Sequence, residues 1–256
     1  MAGNRELKRA IIVLNSSESK RLIGKAVAQL PEVQNAFKHG RVIIGNGTTN
    51  AYVAEELIGQ PTPKWRFAAG VIAAGRLDVT ESATRLAPIA LKNGEPHSGG
   101  WVELLGEFDG DDVFIKGGNA LDPDGNVGVL LASPVGGTVG QMLGVVSARG
   151  SHLVIPIGLE KLVPDVIEAA EHCGIRSTAQ TDGTPCGMAV LSHAQVVTEL
   201  EAFEVLAGVD AWHIASGGVY GSEGSVTIAV EGAAPAVEKA FRLAESVSGE
   251  TPVARE

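Results

Sequence analysis

The chain of 256 residues carries a formal net charge of −10, with 45% hydrophobic, 20% charged and only 4% aromatic residues. That balance describes a globular chain with an aliphatic core, and it argues against a nucleic-acid partner, which would need clustered Lys and Arg. Two cysteines, Cys173 and Cys186, form neither a disulfide framework nor a Cys-x-x-Cys pair, so a reducing cytoplasm is the expected setting.

In chain order, Leu7 to Leu14 is apolar and fits a helix or a strand. Asn15 with Glu18 three residues on spells a capping box, so a helix is expected from there to Leu30, stopped by Pro31. A second helix follows from Pro31 to Lys38, capped by Gly40. Arg41 to Ile44 reads as a strand, Gly45, Asn46, Gly47, Thr48 and Thr49 as a glycine loop, and Ala51 to Ile58 as a helix. Such a loop presents unpaired helix N–H groups, partial positive charge and two hydroxyls, which suits a phosphate or carboxylate. It also suits an ordinary turn between strand and helix.

Arg66 to Ile72 is expected as a strand, Glu81 to Lys92 as a helix interrupted at Pro88, and Trp101 to Leu105 as a strand. His97 lies in the glycine-flanked loop between the last two. Val127 to Ala132 reads as a central strand buried on both faces. Ser133 to Gly140 then repeats the strand, glycine loop and helix pattern, with Gly136, Gly137 and Thr138 as a second anion cradle. The uncharged run from Gly125 to Ala148 is long enough to span a membrane, but Asn126, Ser133, Pro134, Thr138 and Gln141 interrupt it. A strand, a loop and a packed helix explain it better. His152 to Ile157 is expected as a strand, Glu160 to His172 as a helix, Met188 to Leu191 as a strand and Ala194 to Leu206 as a helix. Strands at Ala211 to Ala215 and Val226 to Val230 and a helix from Ala236 to Ser246 complete the chain. Alternating strands and helices imply an α/β fold, doubly wound around a mainly parallel sheet with helices on both faces. The expected divisions are a helical segment at residues 1–40, a core at 41–174 and a carboxyl-terminal portion at 175–256, which either completes the core or forms a small α+β subdomain.

The densest chemistry lies between Glu107 and Gly125, where five carboxylates (Asp109, Asp111, Asp112, Asp122 and Asp124) surround the single Lys116. Val113 to Ile115 reads as a short buried strand ending at that lysine. Gly117, Gly118 and Asn119 follow it, and the glycine pair lets the chain turn. The candidate catalytic groups are Asp109, Asp112 and Asp124 as acid or base, with Lys116 as the cation beside them. The alternative is a plain Asp/Gly loop followed by a β-turn from Asp122 to Gly125. No histidine pair has metal-ligand spacing, so no metal and no cofactor is expected.

Three blocks together resemble the ribose-5-phosphate isomerase A family, within the group that includes glucosamine-6-phosphate deaminases and CoA transferases. Gly45 to Thr49 is similar to that family's phosphate loop, Ile115 to Leu121 to its lysine–glycine loop, and Asp109 to Asp112 to part of its acidic motif. The order is the same, and Gly208 to Gly218 is similar to a late strand and loop. The resemblance implies that Gly45 to Thr49 holds a phosphate, that Asp109 and Asp112 flank the reacting carbons, and that Lys116 binds or polarises the substrate. The family's acidic motif ends in Glu where this chain has Val113. Its general-base Glu has no counterpart here, the nearest carboxylates being Asp122 and Asp124.

The expected function is binding of a small phosphorylated or otherwise anionic metabolite, with isomerase-like acid–base chemistry in a homo-oligomer without nucleic-acid or membrane partners. A non-catalytic metabolite-binding or regulatory protein is one alternative. A CoA-transferase-like enzyme, with Glu223 as its glycine-framed candidate nucleophile, is another.

Overall fold

A computed structural model describes residues 7–255; the charged start of the chain, residues 1–6, and residue 256 lie outside the described part. Strand β1 (Leu7–Leu14) leads into α1 (Ser16–Gln29) and α2 (Pro31–His39), then β2 (Arg41–Ile44), α3 (Thr48–Ile58), β3 (Gly70–Ala73) and β4 (Arg76–Val79). Next come β5 (Ile89–Lys92), β6 (Glu95–Pro96), α4 (Gly100–Gly106), β7 (Val113–Ile115), β8 (Ala120–Leu121), β9 (Val127–Leu131), α5 (Gly137–Arg149) and β10 (His152–Pro156). A 3-10 turn (Leu159–Lys161), α6 (Val166–Glu171), β11 (Gly187–Leu191), β12 (Gln195–Val197), α7 (Glu199–Ala207), β13 (Asp210–Ser216), β14 (Val226–Ala233) and α8 (Ala234–Val247) complete it.

The architecture is mixed α/β. A six-stranded sheet runs in the order β12-β10-β7-β2-β5-β6. Its first four strands are parallel, and β5 and β6 turn back antiparallel on the β2 edge. Phe114, at the centre of β7, is fully buried and meets Trp101 and Phe108 edge-on at 6.3 and 6.5 Å. Two further antiparallel sheets, β1-β14-β13 and β11-β9-β8, and the β3-β4 hairpin lie outside this one. Aliphatic side chains from Ile12 to Val247 join in one buried cluster that links the main sheet to the β1-β14-β13 sheet.

Local chemistry explains several boundaries. The Asn15 side chain accepts hydrogen bonds from the N–H groups of Ser17 and Glu18 at 2.9 and 3.0 Å, and Glu18 accepts from the Asn15 N–H at 2.9 Å. The expected capping box therefore opens α1. The uncharged run becomes β9, a loop and α5, and no helix among the described residues is long and apolar enough to cross a membrane.

Other segments differ from expectation. Leu7 to Leu14 is a strand because it pairs along its whole length with β14, so residues 1–40 are not uniformly helical. The expected strand at Arg66 to Ile72 is a turn followed by β3. The expected helix at Glu81 to Lys92 is a turn and loop whose last four residues form β5, with Ala90 and Leu91 buried beside β2. Pro88 breaks a helix there, and pairing with β2 rewards the extended alternative. Trp101 to Leu105 is helical because Trp101, Leu104 and Leu105 then share one inward face, which a strand would split between two. Strand β9 is central, but in the antiparallel β11-β9-β8 sheet rather than the parallel one. Glu160 to His172 splits into the 3-10 turn and α6 around Pro164, and Ala194 to Leu206 into β12 and α7.

Candidate functional site

Parallel strands in register place all their carboxyl ends along one edge of the sheet. Val42, Val113 and His152 are aligned across β2, β7 and β10, which sets Gly45 level with Lys116, while the β10 chain runs on two residues past that level to Ile157. Hydrogen bonds fix the alignment just past the strands. Gly45 N–H donates to Ile115 O at 2.8 Å, Lys116 N–H to Val154 O at 3.0 Å, and Ile157 N–H to Val197 O at 3.0 Å. Beyond this edge lies a cleft of about 770 Å³. Clefts at this edge of an α/β sheet are its usual ligand site.

Of the sequence-derived ligand residues, Asn46, Gly47, Thr48, Thr49, Gly117, Gly118, Asn119, Gly136, Gly137 and Thr138 all line the cleft, as does Lys116. Gly45 lies beneath it; a Cβ there would press on Ile115 O and on Cδ of Lys116, each 3.2 Å away. At Gly118 the fit is tighter, and a Cβ would collide with Val127 and Ile157. Both helices that open onto the cleft begin without a side-chain cap. α3 starts after Gly47 and α5 after Gly136, the latter at φ 77°. Their first-turn N–H groups are therefore available to a ligand. Asn46 is committed elsewhere, its amide donating to Phe67 O and Leu86 O at 3.1 and 2.9 Å.

The three candidate aspartates do not join this group. Asp112 stands at the amino end of β7, where its carboxylate accepts from Arg41 N at 2.7 Å, Arg41 Nη1 at 3.0 Å and Asp109 N at 2.7 Å. It is buried, and its charge is matched. Asp109 is exposed beside it, 3.7 Å from Arg41. Asp124 is exposed at the turn between β8 and β9, closed by the Gly125 N–H bond to Asp122 O at 3.0 Å. Asp122 is buried and accepts from the N–H groups of Asp124, Asn126 and Val166. The expected grouping of carboxylates around Lys116 is thus corrected. A strand separates residues 112 and 116 by about 13 Å at its rise of about 3.3 Å per residue.

Other charged residues share the cleft with Lys116. Lys20 on α1 and Glu160 and Lys161 on the 3-10 turn all line the cleft. Lys116 Nζ donates to Gly117 O and Lys161 Nζ to Gly118 O, each at 2.9 Å. Burial, then the charge of Lys161, pull the Lys116 amine down to about 8. Burial and the Lys20 charge lower Lys161 as well, against the opposing pull of Glu160 and Glu199. Glu160 lies 3.6 Å from Lys20 through one oxygen, and its other oxygen is buried without a hydrogen-bond partner. Glu199, fully buried at the first turn of α7, accepts from Leu159 N–H at 2.9 Å and so pins the turn that carries Glu160 and Lys161. Burial, then the Glu160 charge, push its carboxyl up to about 7.

Lys20, Glu160, Lys161 and Glu199 are not marked as site residues by the sequence. The available signal was the run Gly158 to Lys161 directly after a strand, a third loop at a strand's carboxyl end. His97 sits elsewhere, 3.3 Å from Glu103. Glu107, the third member of that group, is already engaged by Lys92 at 2.6 Å and Arg41 at 3.3 Å. Glu223 does not line the cleft; it accepts from Gly221 N–H at 2.9 Å in an exposed loop. No protein-family model matches the chain, and no curated protein matches it.

Proposed function

We propose that the cleft binds a small anionic metabolite, most simply a sugar phosphate, and carries out proton transfer beside its carbonyl group. One observation carries this reading. Lys116 and Lys161, held on successive carbonyls, and two uncapped helix N-termini face one cleft at the carboxyl edge of the parallel strands. In this reading a helix N-terminus with Thr48 or Thr138 holds the phosphate. Glu160 is the base, and Lys116 stabilises the negative oxygen that develops as the proton leaves. The resemblance to ribose-5-phosphate isomerase A and a doubly wound description of the core belong to the same proposal, supported by the four parallel strands. So does a homo-oligomer, supported by the exposed Leu7, Ile11, Val13, Trp212 and Ile214 on the β1-β14-β13 sheet; light scattering on the purified chain tests it.

The test is solvent exchange. A panel of aldose and ketose phosphates in D2O, followed by proton NMR, is expected to reveal one that loses its signal beside the carbonyl. Glu160→Gln is expected to slow the loss by about 100-fold or more. Exchange unchanged in that variant removes Glu160 as the base. A second reading, a non-catalytic metabolite sensor on the same scaffold, is favoured by the structural engagement of Asp112 and Asp122. Stabilisation by a sugar phosphate that never exchanges is its signature.

A further inference from the structure

We propose that Lys116 captures the carbonyl group of its ligand as an imine, so that the cleft selects phosphorylated or carboxylated aldehydes and ketones over anions that lack a carbonyl. This rests on the reading of the cleft as an anion site and specifies what the anion carries.

Lys116, like Lys161, has no carboxylate within ion-pair distance among the described residues. Lys20 is paired with Glu160, Lys25 with Glu56, Lys64 with Glu55 and Lys92 with Glu107, whereas the hydrogen bond of Lys116 goes to the neutral carbonyl of Gly117. The nearest charge that acts on it is another cation, Lys161. An amine withdrawn from water beside a second cation sheds its proton readily, and the free amine is the nucleophile. At neutral pH about a tenth of Lys116 is already unprotonated, given its value of about 8.

Position adds to reactivity. The lysine's backbone N–H is bonded to Val154 O, and its stem runs over Gly45, where a Cβ would lie 3.2 Å from its Cδ. The amine is thus held in the cleft that Lys161, as an acid, and Glu160, as a base, also line. The step balances without a further reagent. The amine nitrogen adds to the carbonyl carbon, and the C–O bond of the resulting carbinolamine breaks. The oxygen leaves as water, carrying one hydrogen from the amine and one proton donated by Lys161, so that the imine nitrogen keeps its remaining hydrogen and is protonated. The protonated imine then draws electrons from the neighbouring C–H bond, whose proton passes to Glu160.

Reductive trapping tests this. The full chain is incubated with glyceraldehyde 3-phosphate, and separately with pyruvate, in the presence of sodium cyanoborohydride, then analysed by intact mass and peptide mapping. The expected result is one adduct, equal to the probe less one oxygen, on the peptide containing Lys116. It is expected to be absent in Lys116→Arg, with folding of that variant checked by its thermal transition. Lys161→Met is expected to raise the pH at which trapping reaches half its maximal rate. If that midpoint rises by about one pH unit, the rate at pH 7 falls about tenfold. Labelling spread over exposed lysines, or equal in Lys116→Arg, overturns the proposal. Glycerol 3-phosphate, which has no carbonyl, separates the two readings. If it stabilises the protein and no adduct forms at Lys116, the imine fails and the anion site stands. If it gives no stabilisation while Lys116 is labelled, the anion reading fails and the imine stands.

Discussion

The two ends of β7 hold opposite charges under opposite conditions. At the amino end, Asp112 is buried but receives three hydrogen bonds, one of them from a guanidinium. At the carboxyl end, Lys116 is withdrawn from water beside another cation, with one bond to a neutral carbonyl. Both charges meet the same cost of leaving water, but only Asp112 recovers it within the chain. A matched charge holds a fold together. An unmatched one in a cleft lowers stability and is available to a ligand.

The sharpest way to break the contrast is at the matched end. Asp112→Ala takes from Arg41 its buried carboxylate, leaving only the more exposed Glu107 and Asp109, and leaves two backbone N–H groups without an acceptor, so unfolding titrations are expected to show a loss of about 3 kcal/mol.

Lys116→Met is expected to do the reverse. A folded-state value of about 8 lies below the ordinary lysine value of 10.5. The native state therefore binds fewer protons than the unfolded chain between these values, and stability falls as pH drops through 8. Removing the amine is expected to stabilise the protein by up to about 3 kcal/mol at pH 6, with the gain gone above about pH 10.5. In the unsubstituted protein, stabilisation by phosphate is expected to weaken as pH rises through 8, because the cation is lost.

Glu199 runs the other way. Its carboxyl is raised to about 7 from an ordinary 4.5, so the folded state binds the extra proton and stability falls as pH rises from 4.5 through 7. Glu199→Gln keeps an acceptor for Leu159 and is expected to stabilise by up to about 3 kcal/mol at pH 8, with no difference below about pH 4.5. Thermal transitions across about pH 4 to 9 read this directly.

Smaller effects sharpen the map. Gly118→Ala forces a methyl against Val127 and Ile157, for an expected loss of about 1–3 kcal/mol in denaturant titrations. Asp124→Ala, on an exposed turn, is expected to change stability by less than about 0.5 kcal/mol and to leave phosphate stabilisation unaltered in thermal shift. Loss of that stabilisation would return Asp124 to the site.

Much of this was legible in the residues. Asn15 and Glu18 announce a helix start, because a capping box is satisfied within four residues. The first glycine loop and Lys116 are marked by strands that stop short, β2 at Gly45 and β7 at Lys116 just before Gly117. What was not legible is pairing. Ile89 to Leu91 fits a helix until β2 offers it a partner, and Trp101 to Leu105 fits a strand until its inward face is known. Lys161 and Glu160 are hidden in a segment that reads as helix, although they follow a strand's carboxyl end as Lys116 does.

By itself the sequence determined the local grammar: the capping box, the glycine breaks, the buried triplet from Val113 to Ile115 and the lysine that ends it. Those features are decided within a turn or a strand, by backbone hydrogen bonds and side-chain volume. Only the tertiary structure decided which charges meet. Asp112 and Lys116, four positions apart, would share one face of a helix, but a strand carries them to opposite edges of a sheet. That geometry gave Asp112 to Arg41 from the neighbouring β2, and put Lys116 in one cleft with Lys161, Glu160 and Lys20, all remote from it in sequence.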